Sequence, residues 1–349
     1  MTDSNKWFWF SVLFASGFLI YLLSPVLAPF LVAAILAYVG DPLVDRLETF
    51  KIPRTLAVSI VFLVLTLVAV IALIVLVPLL EKQISTLLQK IPSYVHVVQN
   101  EFIPWLNQRF GFDINFNTKT LISSLQGHWK EAGGIASTAV NYVTRSGAIV
   151  IQFIGSLVLI PVVTFYLLRD WDDLVARVHE LLPRKSEPVI SMLAKQSDEV
   201  LGSFLRGQIL VMIALATIYS VGLGIVGLEL ALLIGLIAGL VSFVPYLGFI
   251  VGIMIASIAA IFQFHDFMHI VYVAIVFAIG QMAEGMFLTP HLVGDRIGLH
   301  PVAVIFAVLA GGQLFGFVGV LLALPIAAVI AVILRYVHER YIASNMYAG

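Results

Sequence analysis

Residues 55–80 read TLAVSIVFLVLTLVAVIALIVLVPLL and contain no charged side chain. A helix needs about 20 apolar residues to cross the roughly 30 Å hydrocarbon core of a bilayer, and this run exceeds that length. Inside lipid the backbone polar groups must be satisfied within the segment, so a continuous run of this kind is a membrane-spanning helix. Comparable runs recur along the chain. Hydrophobic residues make up 61% of its 349 positions and charged residues 11%, too little polar surface for a water-soluble globule. The sequence predicts an all-α polytopic membrane protein of about seven to eight transmembrane helices, with amphipathic interfacial helices between spans.

The net charge of −1 comes with scattered basic residues, which excludes the basic stripe of a nucleic-acid binder. The absence of cysteine excludes disulfides and thiolate chemistry.

Ahead of the first clear span, residues 7–39 are almost continuously apolar but are interrupted by Ser24 and Pro25. As one straight helix they would be about 50 Å long, so a membrane hairpin fits better than a single span. Lys6 and the apolar run after it resemble a signal peptide, but Pro25 and Pro29 stand where cleavage would occur, and the segment reads as a retained anchor. With the span 55–80 this makes an N-terminal membrane segment over residues 1–80, joined by a compact polar loop at residues 40–54. Residues 81–146 regain charge, and Ile84, Leu87, Leu88 and Ile91 recur with helical period, which predicts an extracytoplasmic or interfacial helical region. A span follows at residues 147–168. Residues 169–206 form a cytoplasmic amphipathic region whose apolar stripe is Trp171, Leu174, Val175, Val178, Leu181 and Leu182. Residues 207–340 complete a C-terminal membrane core.

Orientation follows from basic residues. Residues 169–206 hold six Lys or Arg, as many as the longer 81–146 on the opposite side of the span. The denser side is cytoplasmic, which places the loop 40–54 and the C-terminus inside.

Two segments of the core, residues 230–262 and 301–334, are again about 50 Å long if unbroken. Pro245 and Gly248 interrupt the first, and Gly311, Gly312, Gly316 and Gly319 the second. Broken apolar segments of this kind mark solute sites in transporters. They also serve close helix packing, since Gly235 with Gly239 and Gly312 with Gly316 are small-residue pairs four apart. Between them lies IVYVAIVFAIGQMAEGMFLTP, residues 270–290, with Glu284 buried well inside an apolar run and Gln281 three residues before it on the same helical face. An ionised carboxylate at membrane depth costs about 2.5–3.5 kcal/mol on insertion scales, so it is either an interhelical hydrogen-bond partner or part of a solute or ion path. Desolvation favours the protonated form of a carboxyl group, and exchange of that proton for a cation is the chemistry of antiport.

Other chemistry is missing. HDFMH at residues 265–269 superficially matches a zinc-protease helix, but its acid is Asp266 rather than glutamate and it lies between spans. No phosphate-binding GxxxxGK[ST], no dinucleotide GxGxxG after a strand and no GxSxG is present, so neither an enzyme nor a bound cofactor is expected.

The blocks FYLLRD (165–170), SFLRGQ (203–208), VPYLG (244–248), EGMFLTPHLVGDRIGLHP (284–301) and GGQLFGFVGVLLALP (311–325) carry a resemblance to the bacterial autoinducer-2 exporter family, the PerM-like permeases. It covers roughly residues 7–340, and the last two blocks are its specific part. The resemblance implies a multi-pass secondary transporter of the bacterial inner membrane. Some members are assigned export of autoinducer-2, a quorum-sensing signal, and others exchange of sodium or lithium for protons. Position by position, the family pattern falls on Glu284, Pro290, Gly298, Pro301, Gly312, Gly316, Gly319 and Pro325, with Arg206 and Gln208 earlier. The expected solute or ion path is Glu284, Gln281, Pro245, Gly248, Gly312, Gln313 and Gly316, with Arg206 and Gln208 at a cytoplasmic mouth. The expected partners are a small solute or a monovalent cation and proton, the bilayer, and further copies of the chain through its small-residue helix faces. A non-transporting membrane scaffold is the competing class; it predicts a dry, packed interior around Glu284.

Overall fold

Hydrogen-bonded helix follows the apolar runs in the computed structural model, which describes residues 23, 29–97, 147–293, 300–344 and 347. The expectations for residues 7–22, 24–28 and 98–146, and for Gly298, fall outside the described residues. The chain is an all-α polytopic membrane protein. Among the described residues five helices have the length and composition to cross a membrane: Arg54–Lys90, Glu187–Val226, Leu247–Phe264, Met268–Leu292 and Val318–Ile342. Ala231–Val241 and Val302–Gly316 are shorter apolar helices.

The elements are α1 (29–49), α2 (Arg54–Val97), α3 (Gly147–Glu180), α4 (Glu187–Val226), α5 (Ala231–Val241), α6 (Leu247–Phe264), α7 (Met268–Ala283, continued by a π-helix over Glu284–Val293) and α8 (Pro301–Ile342). Two expected boundaries are corrected. Residues 40–49 belong to α1, and only a short turn at 50–53 separates it from α2. Helix α4 runs from Glu187 to Val226 without a stop at 206. A change from polar to apolar side chains leaves the backbone hydrogen bonds intact, so it ends no helix by itself, whereas the turn between α3 and α4 holds Pro183, which supplies no N–H.

The chain forms two compact units. The first takes in residues 1–66, 151–202 and 297–349. Its core is Ala37 and Val44 of α1, Ala57, Val58 and Val61 of α2, and Leu168 of α3. Ala33 is small enough for the Thr164 hydroxyl to reach its carbonyl oxygen at 3.4 Å. Arg54 ties the three helices together. Its guanidinium donates to the carbonyl oxygens of Leu168 (3.2 Å) and Arg169 (3.1 Å), and it pairs with Asp41 (3.0 Å), Glu48 (3.2 Å), Asp45 (3.7 Å) and Asp172. Burial pushes the Asp41 carboxyl up to about 6, with Asp45 and Asp172 adding to the shift and Arg54 opposing it. Leu174, Val175, Val178 and Leu181 of the α3 stripe are exposed.

Helix α8 is two arms. At Gly316 the backbone takes φ 59° and ψ −140°, and the chain folds back so that a side chain at Gly311 would meet the carbonyl oxygen of Gly319 at 2.4 Å. The segment 301–334 is therefore a hairpin whose arms touch through glycine backbones.

The second unit takes in residues 67–150 and 203–296. Helix α6 packs against both α5 and α7. Side chains at Gly235 and Gly239 of α5 would collide with Ser220 and Ala216 of α4, so this pair serves close helix contact. Leu230 offers no side-chain cap to α5; the Gln83 side chain of α2 accepts from the Leu233 N–H at 2.7 Å instead. Lys90 pairs with Glu229 at 2.6 Å, and Gln263 bonds both Glu229 N–H and Gly227 carbonyl oxygen, which fixes the α4–α5 turn.

Candidate functional site

In the second unit the break expected near Pro245 is a turn over residues 242–246 that makes α5 and α6 a hairpin. Tyr246 sits at φ 66° to complete it. The Ser242 hydroxyl donates to Ala238 oxygen at 2.8 Å, and the freed Ser242 carbonyl accepts from Gln208 Nε2 at 2.6 Å. A side chain at Gly248 would strike the Ser242 hydroxyl, so glycine is what allows the hairpin to close. Gln208, 4% exposed, is thus a latch on the hairpin tip, while Arg206 on the same helix is half-buried.

Glu284 ends the regular part of α7. From there the chain winds in wider π turns through Val293, with Pro290 inside them. Proline supplies no N–H, and the His291 ring nitrogen lies 2.9 Å from the Phe287 carbonyl oxygen. Such widened turns are frequent at functional positions. Gly285, Met286 and Phe287 face outward, whereas Glu284 is 6% exposed. Among the described residues no group donates a hydrogen bond to its carboxylate and no cation pairs with it.

The group brought next to it is Tyr219 of α4. Its ring stacks on Phe277 with centroids 4.4 Å apart and lies across Gly280, one helical turn before Glu284. A side chain at 280 would meet the ring at 2.2 Å and the hydroxyl oxygen at 2.9 Å, so Gly280 makes room for the tyrosine. Tyr219 is fully buried, close enough to Glu284 to interact electrostatically, and its hydroxyl makes no hydrogen bond among the described residues. The Gln281 carboxamide oxygen is likewise buried and unpaired. Tyr219 was not among the sequence candidates, because a tyrosine within an apolar span reads as one more large apolar side chain. Its hydroxyl was the available signal, since a buried tyrosine normally finds a partner for it.

Gly312, Gln313 and Gly316 belong to the α8 hairpin of the first unit. Gly312 packs against Val320, Gly316 makes the turn and Gln313 is exposed. That unit also holds a cavity of about 1300 Å³ whose described walls, including Phe30, Tyr166, Trp171, Phe306 and Phe315, are almost entirely apolar. They suit hydrocarbon rather than a hydrophilic solute. The paired histidines of HDFMH divide between elements. His265 closes α6, while His269 lies in α7, where Asp266 accepts from its N–H at 3.0 Å. This backbone hydrogen bond, with the His269 ring at 2.6 Å, holds the Asp266 carboxyl below the usual carboxylate range. No group of three or more metal-ligating side chains occurs among the described residues.

Comparison with known proteins gives a consistent result. The Bacillus subtilis protein YueF is 27% identical over 321 residues, covering 89% of this chain and 84% of its own length. The Escherichia coli AI-2 transport protein TqsA is 22% identical, covering 89% and 86%. A sodium-lithium/proton antiporter of Halobacillus andaensis is 26% identical, covering 86% and 87%. The model of the AI-2E family transporters matches residues 8–339, and with that span the chain belongs to the AI-2E transporter family.

Proposed function

We propose that the chain is a secondary transporter of the bacterial inner membrane, with its C-terminus cytoplasmic, that exports a small hydrophilic solute such as autoinducer-2 coupled to an ion gradient. The observation that carries the reading is Glu284, an acid in a membrane-length helix that is 6% exposed and has no protein partner among the described residues. Hydrocarbon alone does not tolerate such a group, and a structural role would give it a hydrogen-bond partner. The TqsA relative supports the choice of solute by its name. A second reading, exchange of sodium or lithium for protons, is favoured by the named antiporter relative and by the site itself, where one carboxyl stands among neutral oxygens. Labelled autoinducer-2, sodium and proton fluxes measured in the same proteoliposomes separate the two. Solute movement that dissipates an ion gradient supports export, and cation movement alone supports the antiporter. Wild-type vesicles that move none of the three overturn both.

A further inference from the structure

Three polar groups lie at the end of α7 in the second unit. They are the Tyr219 hydroxyl and the Gln281 carboxamide oxygen, both fully buried without a hydrogen-bond partner among the described residues, and the Glu284 carboxylate, with which no donor or cation of the described residues pairs. Tyr219 is 0% exposed and Glu284 6%, so bulk water has little access to them. Three neighbouring unpaired groups are far from the ordinary state of a protein interior, where the large majority of buried polar side-chain atoms are paired. Their placement is enforced, because the ring of Tyr219 is held flat by Phe277 on one side and by the missing side chain of Gly280 on the other.

We infer that Tyr219 and Glu284, with Gln281, are the oxygen ligands of one binding site for a monovalent alkali cation. Hard oxygens suit sodium or lithium, whereas softer transition metals take nitrogen or sulfur. Divalent calcium is held by several carboxylates, and this site has one. A single carboxylate is neutralised by a single positive charge, the balance a site removed from water requires. The inference rests on the reading of Glu284 as part of the transport path and adds Tyr219 as the neutral ligand that selects a bare cation over a larger hydrated one.

The test uses the full chain, purified and held in lipid nanodiscs, with thermal unfolding followed while sodium or lithium chloride replaces choline chloride at constant ionic strength. Wild type is expected to gain stability with ion concentration. Tyr219→Phe keeps the ring stack and removes only the hydroxyl. It should unfold at the wild-type temperature in choline yet need about tenfold more cation for the same gain. Gln281→Leu should show a smaller loss of the same kind, and Glu284→Gln should show no gain at all. Wild-type cation affinity in Tyr219→Phe, with the response lost in Glu284→Gln, overturns the role of Tyr219 and leaves the Glu284 reading standing. A lowered unfolding temperature in choline with unchanged affinity marks the hydroxyl as structural and has the same consequence. An undiminished cation response in Glu284→Gln overturns the inference together with the reading it rests on. A wild type that no alkali cation stabilises overturns the cation site alone, since solute flux remains a separate measurement.

Discussion

Arg54 and Glu284 are both charged groups drawn away from water by helices, and their surroundings differ in kind. In the first unit Arg54, with its side chain 18% exposed, is matched by four carboxylates from α1 and α3 and by two backbone carbonyl oxygens. In the second unit Glu284 has neither cation nor hydrogen-bond donor among the described residues, and its neighbour Tyr219 is unpaired as well. A charge that serves the fold is compensated several times over by its own chain. One left uncompensated in an enforced position is available to something that arrives and leaves.

Removing each charge should therefore have opposite consequences. The largest effect is expected for Glu284→Gln. Coupled flux in proteoliposomes should fall by about two orders of magnitude or more, and unfolding should occur at or above the wild-type temperature, because a desolvated acid has been replaced by a neutral isostere. Arg54→Ala should do the reverse. It leaves four carboxylates facing one another at a helix junction and should cost about 3 kcal/mol in denaturant unfolding, while the protein that remains folded transports normally. Arg54→Lys should recover only part of the loss, since an ammonium cannot reproduce the fork that reaches the Leu168 and Arg169 carbonyls together with the acids.

The smallest effect is one of pH in the same cluster. The Asp41 carboxyl titrates at about 6 in the folded chain against 3.8 ordinarily, so the folded state holds this proton more tightly than the unfolded chain does. Its contribution to stability is then fully present below about pH 4 and is lost as the pH rises through about 6, a change with a ceiling of about 3 kcal/mol. Asp41→Asn should flatten that part of the stability profile and leave the flux profile unmoved.

Much of this contrast is legible in the sequence. Composition and the uncharged run at 55–80 sufficed for the membrane class, and the apolar setting of Glu284 was enough to single it out. The breaks at Pro245 and Gly316 were also visible, since proline and glycine act on the backbone itself. Whether they made hairpins or kinks was not, because it depends on contacts such as Gly311 on Gly319 and Gln208 on Ser242 between residues 8 and 34 positions apart. The polar stretch at 40–54 looked like a loop. Its acids in fact lie on α1, and Arg54, read as one of several inside-facing basic residues, is the hub they surround. Tyr219 was hidden by its own dual character, an apolar ring in an apolar span whose hydroxyl matters only once Gly280 places it beside an acid.

The most direct test of Glu284 is its modification by dicyclohexylcarbodiimide, an apolar reagent that attacks protonated carboxyl groups, in proteoliposomes with parallel flux measurement and mass-spectrometric mapping. We expect Glu284 to be labelled, flux to fall in proportion to the label, and both to be slowed by the transported ion or solute. Full labelling of Glu284 with flux unchanged, or labelling at the same rate whatever is transported, contradicts a role for this carboxyl in the path.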